Sequence, residues 1–186
     1  MSTATQPRSK TTPGPQPKTA NASPAETLES LSKKTSEAIW KVFTSSDTRQ
    51  GFFSQIIKIL GEHFNSPFSV LAIESSVGNQ QLVHSASDAA TQAWGKRCTG
   101  LLLDTRYRNL ASARTVAVGS TEHAFAILSC PLAVGSEGTI GAVCIVVASQ
   151  DRNTYTAQLQ ELQAIVAQAG TMAVEVGHAP QKTASA

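Results

Sequence analysis

Three cysteines, Cys98, Cys130 and Cys144, carry the most reactive side chains of this sequence. Thiol redox chemistry needs an exposed cysteine of low pKa and a second thiol within reach. Cys130 and Cys144 lie in apolar runs, where free cysteine usually packs as a small hydrophobic residue, and Cys98 is distant from both in sequence. We therefore predict buried, reduced thiols. Cys130 and Cys144 would face each other across a hairpin with a three-residue turn, but not across one with four residues.

The histidines offer no metal site, because none has a second histidine or a cysteine at a ligand spacing such as i+4. They are His63, His84, His123 and His178. His63 lies at the end of a predicted helix, where a cation suits the helix dipole. No Ser-His-Asp set, paired-carboxylate motif or phosphate-binding loop stands out in the sequence. The sequence thus predicts no catalytic centre and no metal centre, and it identifies no cofactor.

Aromatic and basic residues gather between positions 94 and 108, in the connection between two predicted strands. An aromatic wall with fixed guanidinium groups could bind an anionic or aromatic small molecule. The alternative is a solvated surface with salt bridges, since arginine is mostly exposed in proteins. The predicted ligand-binding residues are Trp94, Arg97, Cys98, Asp104, Arg106 and Tyr107.

The composition indicates one domain with an aliphatic core. The chain has 186 residues, 41% of them hydrophobic but only 5% aromatic, so Leu, Ile, Val and Ala must build the core. The net charge of +2 comes from scattered basic residues, which argues against nucleic acid as the main partner. No apolar run approaches the ~18 residues of a membrane span, and the first residues lack the apolar region of a signal peptide. These features predict a cytoplasmic protein without direct membrane insertion.

Polar tails are predicted at both ends of the chain. The first 23 residues are rich in Pro, Ser and Thr and contain no Val, Ile or aromatic residue, so they cannot bury enough apolar surface to offset the entropy of ordering. Ser23, Pro24 and Glu26 then form a capping box that begins the first helix. The predicted bounds are a disordered tail 1–23, a folded domain 24–178 with a leading helix 24–45 and a core 47–177, and a polar tail 179–186.

Hydrophobic periodicity predicts the order helix, helix, strand, strand, helical connection, three strands and a last helix. The second helix has a wide apolar face, from Phe52 to Phe64, that should lie against a sheet. Apolar residues of the last helix alternate in steps of three and four, the a/d spacing of a coiled coil. The predicted strands are 68–75, 81–87, 110–118, 123–134 and 139–149, and the a/d residues are Leu159, Leu162, Val166, Ala169, Ala173 and Val176.

Four short motifs near the C-terminus carry a resemblance to a known family. They are Ser129-Cys130-Pro131-Leu132, the turn from Gly135 to Gly138, Ile140-Gly141-Ala142-Val143, and Tyr155-Thr156 before the last helix. This region resembles the GAF domain, a relative of PAS folds. The resemblance implies an α+β fold: an antiparallel sheet of five or six strands with the terminal helices on one face and a small-molecule pocket over the other. Residues 129–149 would be central strands, with Pro131 at a ladder end or bulge and Gly141 at a close contact.

The same resemblance implies a non-catalytic sensory or regulatory domain that binds a small molecule or mediates dimerisation and signalling. Two alternatives remain. One is a redox enzyme of the free methionine sulfoxide reductase type that uses Cys98, although the cysteine spacings do not match that family. The other is the N-terminal module of a larger signalling or secretion-adaptor protein. Cys98 is followed by Thr99 rather than by the histidine of bilin-attachment sites, and the Asn-Lys signature of cyclic-nucleotide sites is missing.

A homodimer through the terminal helices is the predicted assembly. The last helix needs only one apolar face to cover a sheet, and the resemblance implies helical bundles between subunits. Ile165 and Met172, one heptad apart, would extend that face toward a partner. The predicted interface residues are Leu28, Leu31, Ile165, Met172 and Val176.

Overall fold

The computed structural model describes residues 24–75, 78–103, 111–118, 121–148 and 152–176. The predicted tails at 1–23 and 179–186 therefore lie outside the described residues. The helices are α1 (Pro24–Ser45), α2 (Arg49–His63), α3 (Asp88–Leu103) and α4 (Arg152–Val176). The strands are β1 (Phe68–Ser75), β2 (Gly78–Ser85), β3 (Ser112–Val118), β4 (Thr121–Ala133) and β5 (Thr139–Ala148).

The five strands form one antiparallel sheet in the order β2-β1-β5-β4-β3. Helices α1, α2 and α4 pack on one face of it, and α3 packs on the other. The predicted α+β architecture, with both terminal helices on the same face, is confirmed. None of the helices in the described ranges is long and apolar enough to cross a membrane.

Helix α2 illustrates how local sequence sets this arrangement. Thr48 caps its N-terminus, because the Thr48 hydroxyl accepts a hydrogen bond of 3.1 Å from the Gly51 N–H. The helix then buries apolar side chains at steps of three and four, as the sequence predicts. These buried residues, which pack on the sheet, are Phe52, Phe53, Ile56, Ile57 and Leu60.

The β4–β5 hairpin lies near the centre of the sheet and is scaffold. The pairing of β4 with β3 ends at Ser129, and the β4–β5 ladder shifts register between Leu132 and Ala133. Pro131 lies between these two points, where its missing N–H costs little. A Cβ atom on Gly141 would overlap the carbonyl oxygen of Ala72 on β1. Both predictions for this hairpin, the proline at a ladder end and the glycine at a close contact, are confirmed.

Helix α4 uses its a/d stripe within the chain. Leu162, Val166, Ala169 and Ala173 are all buried on the sheet side. A Cβ atom on Gly170 would overlap the carbonyl oxygen of Ala133, so the helix approaches β4 closely. The coiled-coil spacing of this helix therefore serves packing against its own sheet.

Candidate functional site

Helix α3 fills one half of the sheet face on which it lies. It packs mainly on β1 and β5, and three of its side chains, Trp94, Cys98 and Leu102, are buried there. The strands supply a continuous apolar floor beneath these side chains. The floor consists of Phe68, Val70, Ala72, Ile127, Ala142, Cys144 and Val146.

Two of the three thiols meet beneath α3. Cys98 forms a side-chain hydrogen bond with Cys144, although 46 positions separate them in sequence. Cys144 is the cross-strand partner of Ser129, whereas Cys130 pairs with Val143 and belongs to the core on the opposite face. Cys130 and Cys144 therefore do not face each other. Sequence spacing alone offered no signal for the contact between Cys98 and Cys144.

The environments of Cys130 and Cys144 suppress the reactivity of these two thiols. Burial raises the pKa of the Cys130 thiol to about 12. The hydrogen bond with Cys98 and then burial raise the pKa of the Cys144 thiol well above its ordinary value. Because the thiolate is the nucleophile, both groups are poor nucleophiles at neutral pH.

An aromatic wall lies at the edge of this face, and one of its two rings is the predicted ligand-binding residue Trp94. The rings of Trp94 and Phe125 meet edge to face with their centroids 5.2 Å apart. The guanidinium of Arg97 lies over the Trp94 ring, 5.8 Å from its centroid. Three other predicted ligand-binding residues lie outside the described residues: Asp104, Arg106 and Tyr107.

Next to this wall, a strip of β3 and β4 carries polar side chains on the same face. Ser112 and Ser129 are cross-strand partners, and their hydroxyl oxygens lie 2.8 Å apart. Arg114 is the cross-strand partner of Ile127, so its side chain belongs to this face too. Ser112, Arg114 and Phe125 are only partly buried, in contrast to the filled half beneath α3. We define Ser112, Arg114, Phe125 and Ser129 as the β3–β4 strip; sequence analysis did not single out its serines and arginine.

The opposite face contains a groove with a volume of about 640 Å³. It is open and runs between α1 and α2. Its lining mixes polar and aliphatic residues: Ala38, Lys41, Val42, Ser45, Ser46, Asp47, Thr48, Gly51, Gln55 and Ile59. A smaller cavity of about 150 Å³ adjoins it near Thr35 and His63.

His63 connects three helices beside that smaller cavity. Its side chain is only 5% exposed. Nδ1 lies 2.5 Å from the Thr35 hydroxyl on α1, and Nε2 lies 2.9 Å from a Glu161 carboxylate oxygen on α4. With a neutral ring, the Thr35 hydroxyl donates to Nδ1 and Nε2–H donates to Glu161, so every polar atom of the ring is satisfied. Within the described residues, no three His, Cys, Asp or Glu side chains lie close enough together to hold a metal ion.

The predicted dimer residues have different environments. Ile165 is 9% exposed and Val176 is buried, so both belong to the core of the single chain. Ile165 therefore does not offer the free apolar surface that its heptad position suggested. Met172 is partly buried, and the side chains of Leu28 and Leu31 lie outside the described residues. Among the described side chains of α1, Trp40 is a large exposed hydrophobic residue, at 58% exposure.

Comparison with solved structures identifies the fold. The chain is similar to the GAF domain of NLH2 from A. aeolicus in an inactive state, with a TM-score of 0.55, 14% identity, and coverage of 80% of this chain and 96% of that one. It is also similar to the GAF domain of a putative sensor histidine kinase from Pseudomonas syringae pv. tomato, with a TM-score of 0.54, 11% identity, and coverage of 80% and 88%. No protein-family model matches the sequence, and no curated protein matches it significantly. The chain has the GAF fold, as its C-terminal motifs predict.

Proposed function

We propose that this chain is a non-catalytic, GAF-type sensory or regulatory domain that binds a small molecule at the β3–β4 strip. The proposal rests on a difference in side-chain packing between two halves of one sheet face. Helix α3 fills the half over β1 and β5 with apolar side chains. The strip beside it has partly exposed polar groups next to aromatic rings. A few fixed polar groups beside an apolar wall are the usual makeup of a small-molecule site.

The chemistry of the strip favours a small ligand with a polar or anionic group and a flat apolar part. The paired hydroxyls of Ser112 and Ser129 can donate and accept hydrogen bonds. The Arg114 guanidinium carries a permanent positive charge on the same face. The Trp94–Phe125 pair supplies the apolar side.

A thermal-shift screen tests this proposal. A ligand that binds only the folded chain stabilises it by about 2.7 kcal/mol at a concentration of a hundred times its Kd. We expect a compound among amino acids, cyclic nucleotides, haem and bilins to raise the Tm of the wild type, and Ser112→Ala to reduce that shift. Thr171→Ala, on the exposed side of α4, is the matched control and should leave the shift unchanged.

Two results would contradict the proposal. If none of the panel raises the Tm, binding of these ligand classes at the strip is rejected. Turnover of free methionine sulfoxide, lost in Cys98→Ser, would favour the redox enzyme instead. The buried, neutral state of Cys130 and Cys144 argues against that second result.

The proposal includes dimerisation through the terminal helices, with Trp40 rather than Ile165 as the main apolar contact. Trp40 projects from α1 next to Phe43, with ring centroids 5.5 Å apart. The open groove between α1 and α2 lies on the same helix and is large enough to receive an indole ring. Because a two-fold dimer uses the same patch on both subunits, each Trp40 could enter the groove of the partner.

A further inference from the structure

Strand β2 forms one edge of the sheet, and no strand among the described residues pairs with its outer side. Its pairing with β1 runs without a register shift from Phe68↔Ser85 to Ser75↔Gly78. An edge of this kind presents a row of main-chain donors and acceptors to solvent.

The register fixes which main-chain groups point outward. The Ala86 N–H donates to the Pro67 carbonyl at 3.0 Å, directly beyond the Phe68↔Ser85 pair. In an antiparallel ladder, hydrogen-bonded and non-hydrogen-bonded pairs alternate, so even-numbered β2 residues bond to β1. The odd-numbered residues therefore direct their N–H and C=O groups away from the sheet: Asn79, Gln81, Val83 and Ser85.

The two edges of the sheet differ in protection against pairing. Natural edges are usually blocked by charged residues, proline or bulges. The β3 edge carries Arg114 and a register shift between Val116 and Val118. The β2 strand has no Lys, Arg, Asp, Glu or Pro and no register shift, and Val83 is 50% exposed on it.

We propose that β2 pairs antiparallel with β2 of a second copy of this chain, which joins two five-stranded sheets into one of ten strands. With the two-fold axis at Leu82, Gln81 of each copy lies opposite Val83 of the other, and Asn79 lies opposite Ser85. This register uses all the outward-pointing residues and covers the exposed Val83 side chain.

The strand's own chemistry favours a second copy as the occupant. An uncharged strand can pair with itself without the like-charge repulsion that opposes most homotypic edges. Two short strands bury far less than the roughly 1,000 Å² expected of a stable interface. The association should therefore be weak by itself and should rise with concentration.

A charge exchange at the paired positions tests the register. In Gln81→Lys/Val83→Lys, each lysine lies opposite a lysine of the partner, and we expect association to weaken by about tenfold. In Gln81→Glu/Val83→Lys, each lysine lies opposite a glutamate, so association should return to about the level of the chain without edge substitutions. Gln81→Lys also removes the exposed 3.5 Å hydrogen bond that Gln81 accepts from the Thr99 hydroxyl, whereas a glutamate at this position can still accept it. Thr99→Ala, which removes that hydrogen bond without adding charge, is therefore included as a control.

The measurement is sedimentation velocity over a wide concentration range. Every variant is made in the full chain carrying Trp40→Glu, which removes the proposed helical contact, and this chain is the parent for comparison. Gln92→Lys/Ala93→Lys, on the exposed side of α3, adds the same charges elsewhere and should associate like its parent. Edge pairing is rejected if the parent stays monomeric, if the two-lysine edge variant associates as strongly as the parent, or if the Glu/Lys variant fails to recover. Since the readout is independent of any ligand, it does not depend on the proposed small-molecule site.

Discussion

At the residue scale, the local environment decides what each reactive side chain can do. Cys130 lies in the core between the sheet and the terminal helices, and Cys144 lies beneath α3 in contact with Cys98. His63 lies at the end of α2, as the sequence suggests, but its ring is enclosed between Thr35 and Glu161. These groups therefore serve packing and helix contacts, and two predictions test this.

Cys130 should link stability to alkaline pH. Burial raises its folded-state pKa from 9.0 to about 12, while the unfolded thiol keeps an ordinary value. Its contribution is therefore fully present below pH 9 and is lost as the pH rises toward 12, at about 1 kcal/mol per pH unit. Urea unfolding from pH 7 to 11 should show a smaller decline for Cys130→Val than for the wild type. Equal declines would mean that the thiol ionises as easily in the folded state.

Thr35→Val should destabilise the chain by about 1–3 kcal/mol, because it leaves Nδ1 of the buried His63 without its partner. Thr44→Val is the control on the same helix, since the Thr44 hydroxyl is exposed and bonds only to the Lys41 carbonyl. Urea denaturation measures both variants. A loss for Thr35→Val no larger than that for Thr44→Val would show that the His63 contact contributes nothing.

At the element scale, close approach of backbones determines where the helices lie. Helix α4 meets β4 at Gly170, and β1 meets β5 at Gly141, in each case with a carbonyl oxygen where a side chain would begin. A carbonyl in a sheet cannot move aside as the tip of a long side chain can. These glycines therefore fix the distances between elements, whereas Gly100 has open space around its Cβ position and only weakens its helix.

Two glycine-to-alanine substitutions in helices should have opposite effects. Gly170→Ala should destabilise the chain by about 1–3 kcal/mol, because its Cβ atom would overlap the Ala133 carbonyl oxygen. Gly100→Ala, on α3, meets no atom within 4 Å and should stabilise the chain by about 0.5–1 kcal/mol through helix propensity. Thermal unfolding compares the two. If both shift the Tm in the same direction, the close contact between α4 and β4 is not as described.

At the scale of the whole molecule, surface apolar residues indicate where a partner can bind. Trp40 and Leu103 are both more than half exposed, at 58% and 53%, but they lie on opposite faces of the sheet. Of these two residues, only Trp40 lies on a terminal helix, α1, which also contributes to the lining of the α1–α2 groove.

Trp40→Glu should convert the proposed helical dimer into a folded monomer at low micromolar concentration. Light scattering should then give the monomer mass of 19.5 kDa, in place of about twice that value for the wild type. Leu103→Glu, which adds the same charge to an exposed site on α3, should remain dimeric. Ile165→Glu should unfold the chain, as Leu162→Glu should, because both side chains are buried. A wild-type mass that stays at 19.5 kDa as concentration rises would rule out the helical dimer.

The sequence by itself determined the elements and the type of fold. Helix periodicity, the capping residues, the turn glycines and the C-terminal motifs are all local, and each depends on neighbours a few positions away. They predict the helices, the strands and the roles of Pro131 and Gly141, and the structure agrees except at the second strand. That strand spans Gly78–Ser85 rather than 81–87, because Gly78 and Asn79 already pair with β1. Of the candidate site, they single out Trp94 and Arg97 as candidate ligand-binding residues, while the contact between these two side chains comes from the structure.

Only the tertiary structure decided which distant side chains meet. Cys98 reaches Cys144, Ser112 reaches Ser129, and His63 bonds to Thr35 and Glu161 across as many as 98 positions. The face toward which a strand residue points depends on the pairing register, and a shift of one position would reverse it. In the same way, heptad spacing indicates Ile165 as a contact to a partner chain. The packing of α4 on its own sheet decides instead that this side chain is buried within one chain.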